Sequence, residues 1–176
     1  MPRFFIPSPP LDLVVFEGDE ARHIAKSLRT KPGEEIILCD GKGFDYKCIA
    51  VSVGEKTVLK VVEKYPNISE PSVYLHLYQT LPKGSKMEFI IQKAVELGVS
   101  EITPVLTSRC IVRLTPEAFE KKRERYQKIS KEAAKQSGRG IIPKINPLVD
   151  YTESLKTIEK DNSIIFYECG GTPLKE

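Results

Sequence analysis

The pattern of apolar residues changes near residue 70, and this change limits the folds that the chain can adopt. Before it, short runs rich in β-branched residues follow one another at close spacing, separated by turn-forming residues. This arrangement is typical of a small β-barrel. After residue 72, apolar strands alternate with longer helical patterns, as in a mainly parallel sheet covered by helices. The sequence therefore predicts an α/β protein with an N-terminal β-barrel.

The first part contains four predicted strands and one predicted helix. The strands cover residues 13–16, 35–39, 46–51 and 57–62. Gly41 and Gly43 lie between the second and third strands, where a tight hairpin requires positive φ angles. The helix covers residues 19–28 and has its acidic residues in the first turn, where the helix dipole favours them. Residues 66–71 have the composition of a linker.

The second part is predicted to alternate strands with helices. The strands cover residues 73–78, 102–106 and 163–167, and the helices cover residues 85–97 and 116–137. Gly98 and Gly138 are the expected stops of the two helices, and Thr115-Pro116 is a favourable start for the second. Because the first strand is apolar throughout, we expect both of its faces to be buried.

Composition excludes several classes of protein. Apolar residues make up 40% and charged residues 29% of the chain, as in ordinary globular proteins. No stretch approaches the roughly 20 apolar residues that span a bilayer, and the N-terminus lacks a signal-peptide pattern. The four cysteines are scattered and only two histidines are present, so we expect no metal site. A cytoplasmic protein with reduced thiols and no membrane partner is predicted.

Positive charge is concentrated between residues 109 and 139. This stretch holds ten Lys and Arg against four Glu, although the whole chain carries a net charge of only +3. Such a concentration is typical of a surface that binds phosphates. A solvated helix face with some Glu–Lys pairs explains the same charges equally well. Charge alone therefore leaves both interpretations open.

Basic residues also stand at helix starts and strand ends, where open α/β sheets bind ligands. Lys83 and Lys86 flank the start of the helix at 85–97, and Lys93 lies two turns after Lys86 on the same face. Arg109 follows the strand at 102–106, and Arg139 follows the long helix. A guanidinium group can bind a phosphate through two parallel hydrogen bonds. The common catalytic and nucleotide-binding motifs are absent from the sequence.

Several motifs together resemble one family. They are RFF at 3–5, SLR at 27–29, KGSKME at 83–88, IQKAVELGV at 91–99, SRC at 108–110 and QSGR at 136–139. In this order they resemble the ribosomal RNA small-subunit methyltransferase E family, the bacterial 16S rRNA (uracil-1498-N3)-methyltransferases. The resemblance extends over nearly the whole chain.

The resemblance implies a PUA-like RNA-binding barrel over residues 1–68 and the N-terminal part of a SPOUT methyltransferase domain over residues 73–176. It further implies a homodimer that methylates 16S rRNA of the small ribosomal subunit with S-adenosyl-L-methionine. The family's Gly-Pro-Glu-Gly-Gly cofactor loop and its knot have no counterpart in these residues. An incomplete SPOUT domain is therefore expected, and we expect the 176-residue chain alone to be inactive.

The resemblance and the positions of the basic residues together predict roles for individual side chains. Arg109 and Arg139 are the candidate catalytic cations, and Glu168 is a candidate for the rim of the cofactor site. The candidate RNA-binding residues are Arg3, His23, Arg29, Lys83, Lys86, Lys93 and Gln136. The alternative from another class of protein is a non-catalytic RNA-binding module that uses the same barrel and basic helix.

Overall fold

The five strands of the first half form one mixed sheet. In the computed structural model, which describes residues 1–158 and 162–166, its strands run in the order β1-β3-β4-β5-β2. Their bounds are Arg3–Phe5 (β1), Leu13–Glu17 (β2), Glu35–Cys39 (β3), Phe44–Ser52 (β4) and Lys56–Pro66 (β5). All neighbours are antiparallel except β1 and β3, which are parallel. The four predicted strands are confirmed, and β1 was not foreseen.

Side chains from all five strands face a common apolar core. Phe4, Phe16, Leu38, Cys48 and Leu59 are members of this core, one from each strand, and each is at most 6% exposed. The predicted hairpin joins β3 to β4, with Gly41 at φ 68° and Gly43 at φ 96°. The turn glycines therefore have the backbone conformation that the sequence predicts.

The helix of the first half differs from the prediction in its hydrogen bonding. An α-helix, α1, covers only Gly18–Arg22, and the segment His23–Ser27 continues it as a π-helical turn. The Leu28 N–H donates to the carbonyl of His23 at 3.0 Å, five residues back. Ile24 in this turn is fully buried in the barrel core. Single π-helical turns are often found at functional sites.

The second half contains a parallel sheet with helices. Its elements are β6 (His76–Thr80), α2 (Lys86–Glu96), β7 (Glu101–Leu106), α3 (Pro116–Gln136), β8 (Lys144–Ile145), β9 (Val149–Asp150) and α4 (Tyr151–Thr157). Strand β7 is central and pairs in parallel with β6, β8 and β9. The α/β class with an N-terminal barrel is thus confirmed, while β8, β9 and α4 were not foreseen. None of the described helices is long and apolar enough to cross a membrane.

Two strand predictions in the second half were wrong. The strand predicted over 73–78 begins at His76, and Val73, Tyr74 and Leu75 are all more than half exposed. Within the described residues β6 pairs with β7 alone, so it is an edge strand. No described strand covers the three residues that precede it. The strand predicted over 163–167 is not formed by residues 163–166, to which no strand is assigned. The last residue of that prediction lies outside the described residues.

The two halves share a core where they meet. Phe5 of β1 and Cys39 of β3 belong to the same buried cluster as Ile91 of α2 and Ala134 of α3. The thiols of Cys39, Cys48 and Cys110 are buried and form no disulfide within the described residues, and Cys169 lies outside them. Burial raises the pKa of the Cys48 thiol to about 11, so the group stays protonated and packs as an apolar side chain.

Candidate RNA-binding surface

The long basic helix α3 is fixed at its start and along one side. The Thr115 hydroxyl accepts a hydrogen bond from the Ala118 N–H at 3.2 Å, and Pro116 occupies the first turn. The side of α3 that carries Phe119, Tyr126 and Ala134 is buried against the core. The opposite side is left to solvent and carries most of the basic residues of the 109–139 stretch.

The cations on α3 fall into two groups. Arg123 binds Glu120 one turn earlier, with hydrogen bonds of 2.8 and 2.9 Å, and Arg125 binds Glu88 of α2 at 2.9 Å. A second group of side chains is exposed and makes no hydrogen bond or ion pair with the described part of the chain: Lys121, Lys122, Lys128 and Lys131. No ion pair within the described residues competes with an external anion for these four ammonium groups.

A groove of about 490 Å³ runs between α2 and α3. It is lined by Gln92, Glu96, Arg125, Lys128, Ile129, Glu132, Ala133 and Gln136. The α3 members Lys128, Glu132 and Gln136 follow one another at intervals of four residues, so they share one stripe of the helix. Amide, carboxylate and cationic groups together can bind both phosphates and the edges of bases. The chemistry of this lining suits a nucleotide.

A smaller cleft of about 280 Å³ separates the other side of α3 from the barrel. Its lining includes His23 of the π-helical turn and Lys135 of α3. The ammonium group of Lys135 lies 4.6 Å from the centre of the Phe4 ring, and His23 meets the same ring edge-on at 5.9 Å. Glu132 lines both the cleft and the groove. Helix α3 therefore lies between two concave surfaces.

The loop after β7 holds Arg109 in a tight turn. The Thr107 N–H and hydroxyl lie 3.4 and 3.3 Å from the Cys110 sulfur, and the Cys110 N–H donates to the Thr107 carbonyl. Arg113 binds the carbonyls of Thr107 and Ser108 at 3.1 and 2.7 Å. The Arg109 side chain is exposed and has no partner in the described part of the chain. The turn thus presents an unpaired guanidinium on a fixed backbone.

Arg139 has the opposite surroundings. It is 2% exposed and binds Glu70 at 2.7 Å through Nη2, while Nη1 donates to the carbonyls of Val95 and Val99. Burial disfavours ionisation of Glu70, but the guanidinium of Arg139 and the N–H groups of Gly140 and Ile141 outweigh it. Together they hold the pKa of the Glu70 carboxyl below its usual value.

Arg3 belongs to the same junction between the halves. Its guanidinium binds both oxygens of Asp45 at 2.9 and 2.5 Å and the carbonyl of Arg139 at 3.2 Å. Asn67 donates to Asp45 at 2.8 Å and to the carbonyl of Gly138 at 3.0 Å. The predicted linker is therefore part of a polar network that fastens the barrel to the end of α3. We call this network, with Arg139 and Glu70, the junction network.

The remaining predicted site residues are dispersed. Lys83 and Lys86 are exposed at the start of α2, and Lys93 binds Glu96 at 2.6 Å on the same helix. Arg29 is exposed on the barrel with φ 53°, an unusual conformation for a residue other than glycine. Of the remaining candidates, His23 lies in the cleft and Gln136 in the groove, while Glu168 lies outside the described residues. No cluster of three metal-binding side chains occurs within residues 1–158 and 162–166.

The sequence interpretation missed the groove and the junction network. The groove could have been found from helical spacing, because Gln92 and Glu96 are four residues apart on α2. The carboxylates Asp45 and Glu70 had no such signal, since their partners Arg3 and Arg139 are 42 and 69 residues away.

Comparison with known proteins decides the family. An RNA methyltransferase domain model matches residues 69–176, and an RNA methyltransferase PUA domain model matches residues 16–63. The ribosomal RNA small subunit methyltransferase E of Buchnera aphidicola (strain APS) is 30% identical over 95% of this chain and 68% of its own length. The chain belongs to the ribosomal RNA small subunit methyltransferase E family.

Other members of the methyltransferase E family agree with this assignment. The protein of Bacillus subtilis is 36% identical over 86% of this chain, and the match spans 60% of that protein's length. The crystal structure of the Neisseria gonorrhoeae enzyme, bound to S-adenosyl methionine, superimposes with a TM-score of 0.80 at 34% identity. The superposition covers 92% of this chain and 67% of the Neisseria chain. The chain therefore spans about two thirds of the Neisseria chain and shares its fold over that part.

Proposed function

We propose that this protein forms the RNA-binding portion of an S-adenosyl-L-methionine-dependent enzyme that methylates N3 of uridine 1498 in 16S rRNA. The enzyme acts on the small ribosomal subunit, as a cytoplasmic homodimer. The observation that carries the proposal is the fold shared with the Neisseria gonorrhoeae enzyme, which was crystallised with that cofactor. The unpaired cations of α3, beside a groove that suits a nucleotide, support an RNA substrate.

Arg109 is the proposed catalytic cation. Methylation at N3 of uracil requires loss of the N3 proton, and negative charge then develops on the base. A guanidinium close to the base stabilises such charge. The Thr107–Cys110 turn and Arg113 fix the backbone that carries Arg109, and its side chain has no partner within the described residues to release before it meets the base. Arg139 is engaged with Glu70, so we assign it to the junction network, where it positions the two halves.

The described residues do not fit the cofactor itself. An adenine ring and a methionine tail require an enclosed and largely apolar pocket. Both the groove and the cleft are open, and most of the residues that line them are polar or charged. We therefore assign no part of the cofactor site to them, and the predicted rim residue Glu168 lies outside the described residues.

Methyl transfer by the natural full-length protein tests the proposal. Unmodified small ribosomal subunits would be incubated with labelled S-adenosyl-L-methionine, and the RNA would be digested for nucleoside mass spectrometry. We expect 3-methyluridine at position 1498, and the Arg109→Ala variant should lower the rate about a hundredfold. Arg123→Ala is the matched control, because it removes another arginine whose guanidinium is already paired with Glu120. RNA binding without methylation would instead favour the non-catalytic RNA-binding module.

A further inference from the structure

The solvent-facing side of α2 carries an aromatic ring at its centre. Met87, Ile91 and Val95 turn one side of this helix towards the core. Phe89 lies on the opposite side and is 63% exposed. An aromatic side chain of this size is normally placed where it can be buried. Its exposure at the outermost position of an amphipathic helix leaves the ring accessible to an external ligand.

The surroundings of Phe89 are charged. Lys86 and Lys93 lie three residues before it and four residues after it, so all three side chains share one face of the helix. The ammonium group of Lys93 is 5.9 Å from the centre of the ring. Such a ring bordered by ammonium groups matches a nucleotide, in which a flat base is joined to phosphates.

The carboxylates near Phe89 are already neutralised. Glu88 binds Arg125 of α3 at 2.9 Å, and Glu96 binds Lys93 at 2.6 Å and Gln92 at 2.9 Å. Lys86 has no partner in the described part of the chain. An approaching phosphate therefore meets attraction at this face and no unpaired acidic group of α2.

Phe89 is also continuous with the groove between α2 and α3. Gln92 and Glu96, which line the groove, follow Phe89 at three and seven residues and therefore lie on the same stripe of the helix. A base stacked on the ring would have the side-chain amide of Gln92, which lines the groove, beside it. Protein interfaces, by contrast, exclude charged residues from their centres. This contrast favours a nucleic acid over a protein as the occupant.

We propose that Phe89 is a stacking platform for an unpaired base of the RNA substrate, with Lys86 binding an adjoining phosphate and the groove receiving the neighbouring nucleotide. This inference rests on the proposed function, since it extends the RNA-binding surface from α3 to α2. Duplex RNA cannot use the platform, because its bases are stacked within the helix. The site thus selects single-stranded segments.

Binding of two fluorescent RNA probes to the natural full-length protein tests this platform. One probe is a single-stranded oligouridine and the other is a duplex of equal length. Phe89→Leu should weaken binding of the single strand about tenfold and leave duplex binding unchanged. Phe89→Tyr should retain single-strand binding, because the ring is kept. The salt dependence of binding should be the same in Phe89→Leu as in the parent, because the same phosphates remain bound.

Tyr151→Leu is the control. Tyr151 is 49% exposed on α4, and no ammonium group lies over its ring in the described part of the chain, so this substitution should leave single-strand affinity unchanged. Equal single-strand affinity in Phe89→Leu and the parent would overturn the proposal, and so would an equal loss for duplex RNA. Dissociation of a dimer in Phe89→Leu would show instead that a second copy covers the ring. Failure of the parent to methylate rRNA would contradict the proposed function, whichever result Phe89→Leu gives.

Discussion

The junction network and the exposed face of α3 contain the same kind of side chain in opposite surroundings. Arg139 at the junction is buried and paired with Glu70, whereas Lys121 and Lys128 on α3 are exposed and unpaired. A buried cation needs a partner, because it has lost its hydration. An exposed cation does not, and it can exchange its counterions for phosphates. One set of cations therefore holds the two halves together, and the other is available to RNA.

The strongest test of this difference is the loss of the buried pair. Arg139→Ala should lower the free energy of unfolding by about 3–5 kcal/mol, because Glu70 loses its partner and the carbonyls of Val95 and Val99 lose their donor. Urea denaturation measures this change. Arg123→Ala is the control, since it removes a surface pair with Glu120 and should change stability by less than about 1 kcal/mol. Equal losses in the two variants would contradict the division of cations into two sets.

A second prediction concerns the close packing of the linker at the junction. A Cβ atom at Gly140 would lie 2.6 Å from the Cβ of Asn67, so Gly140→Ala should displace Asn67 from Asp45 and Gly138. We expect a loss of about 1–3 kcal/mol in the free energy of unfolding.

Gly54→Ala is the control for this substitution. The nearest atom to a Cβ there is 4.0 Å away, and the backbone does not require glycine. A methyl group in that open position should change stability by no more than about 1 kcal/mol, in the stabilising direction. If Gly140→Ala behaves in the same way, the linker does not pack against the loop after α3 in solution.

The third prediction concerns the exposed set. Lys121→Met combined with Lys128→Met should weaken rRNA binding and lower the slope of log affinity against log salt by about 0.7–0.9 for each phosphate that is no longer bound. Thermal stability should stay unchanged, because neither lysine has a partner in the described residues. Fluorescence anisotropy at several salt concentrations is the measurement. Arg123→Met should change the slope less, because the Arg123 guanidinium of the parent is already held by Glu120.

The smallest effect is expected from pH. The pKa of Glu70 is lower in the folded protein than in the unfolded chain, so the folded state binds fewer protons between the two values. The stability that Glu70 contributes is therefore complete above its unfolded pKa of about 4.3 and is lost as the pH falls through the folded pKa. Urea midpoints in this window should depend less steeply on pH in Glu70→Gln. Glu55→Gln, at an exposed site outside the junction network, should keep the parent's dependence.

Much of the fold could be predicted from local sequence. The strands at 35–39 and 102–106 and the helix from Pro116 follow from β-branched runs and helical spacing. Gly41 in the turn and Gly98 and Gly138 at the helix ends all have positive φ angles. Glycine occupies these positions because it adopts such angles without strain. These features depend on residues that are close together in the chain, so the sequence alone determined them.

The partners of the charged residues could not be predicted in this way. Arg139 and Arg109 have the same charge and similar positions, each just after a regular element. Only the folded chain brings Glu70 to one of them and leaves the other exposed. The same holds for strands, because the run at 163–166 has the composition of a strand, yet no strand is assigned to those residues. Sequence by itself determined most of the longer helices and strands and the family. Tertiary structure decided which cations hold the molecule together and which remain for RNA, because burial and pairing arise only from contacts between distant residues.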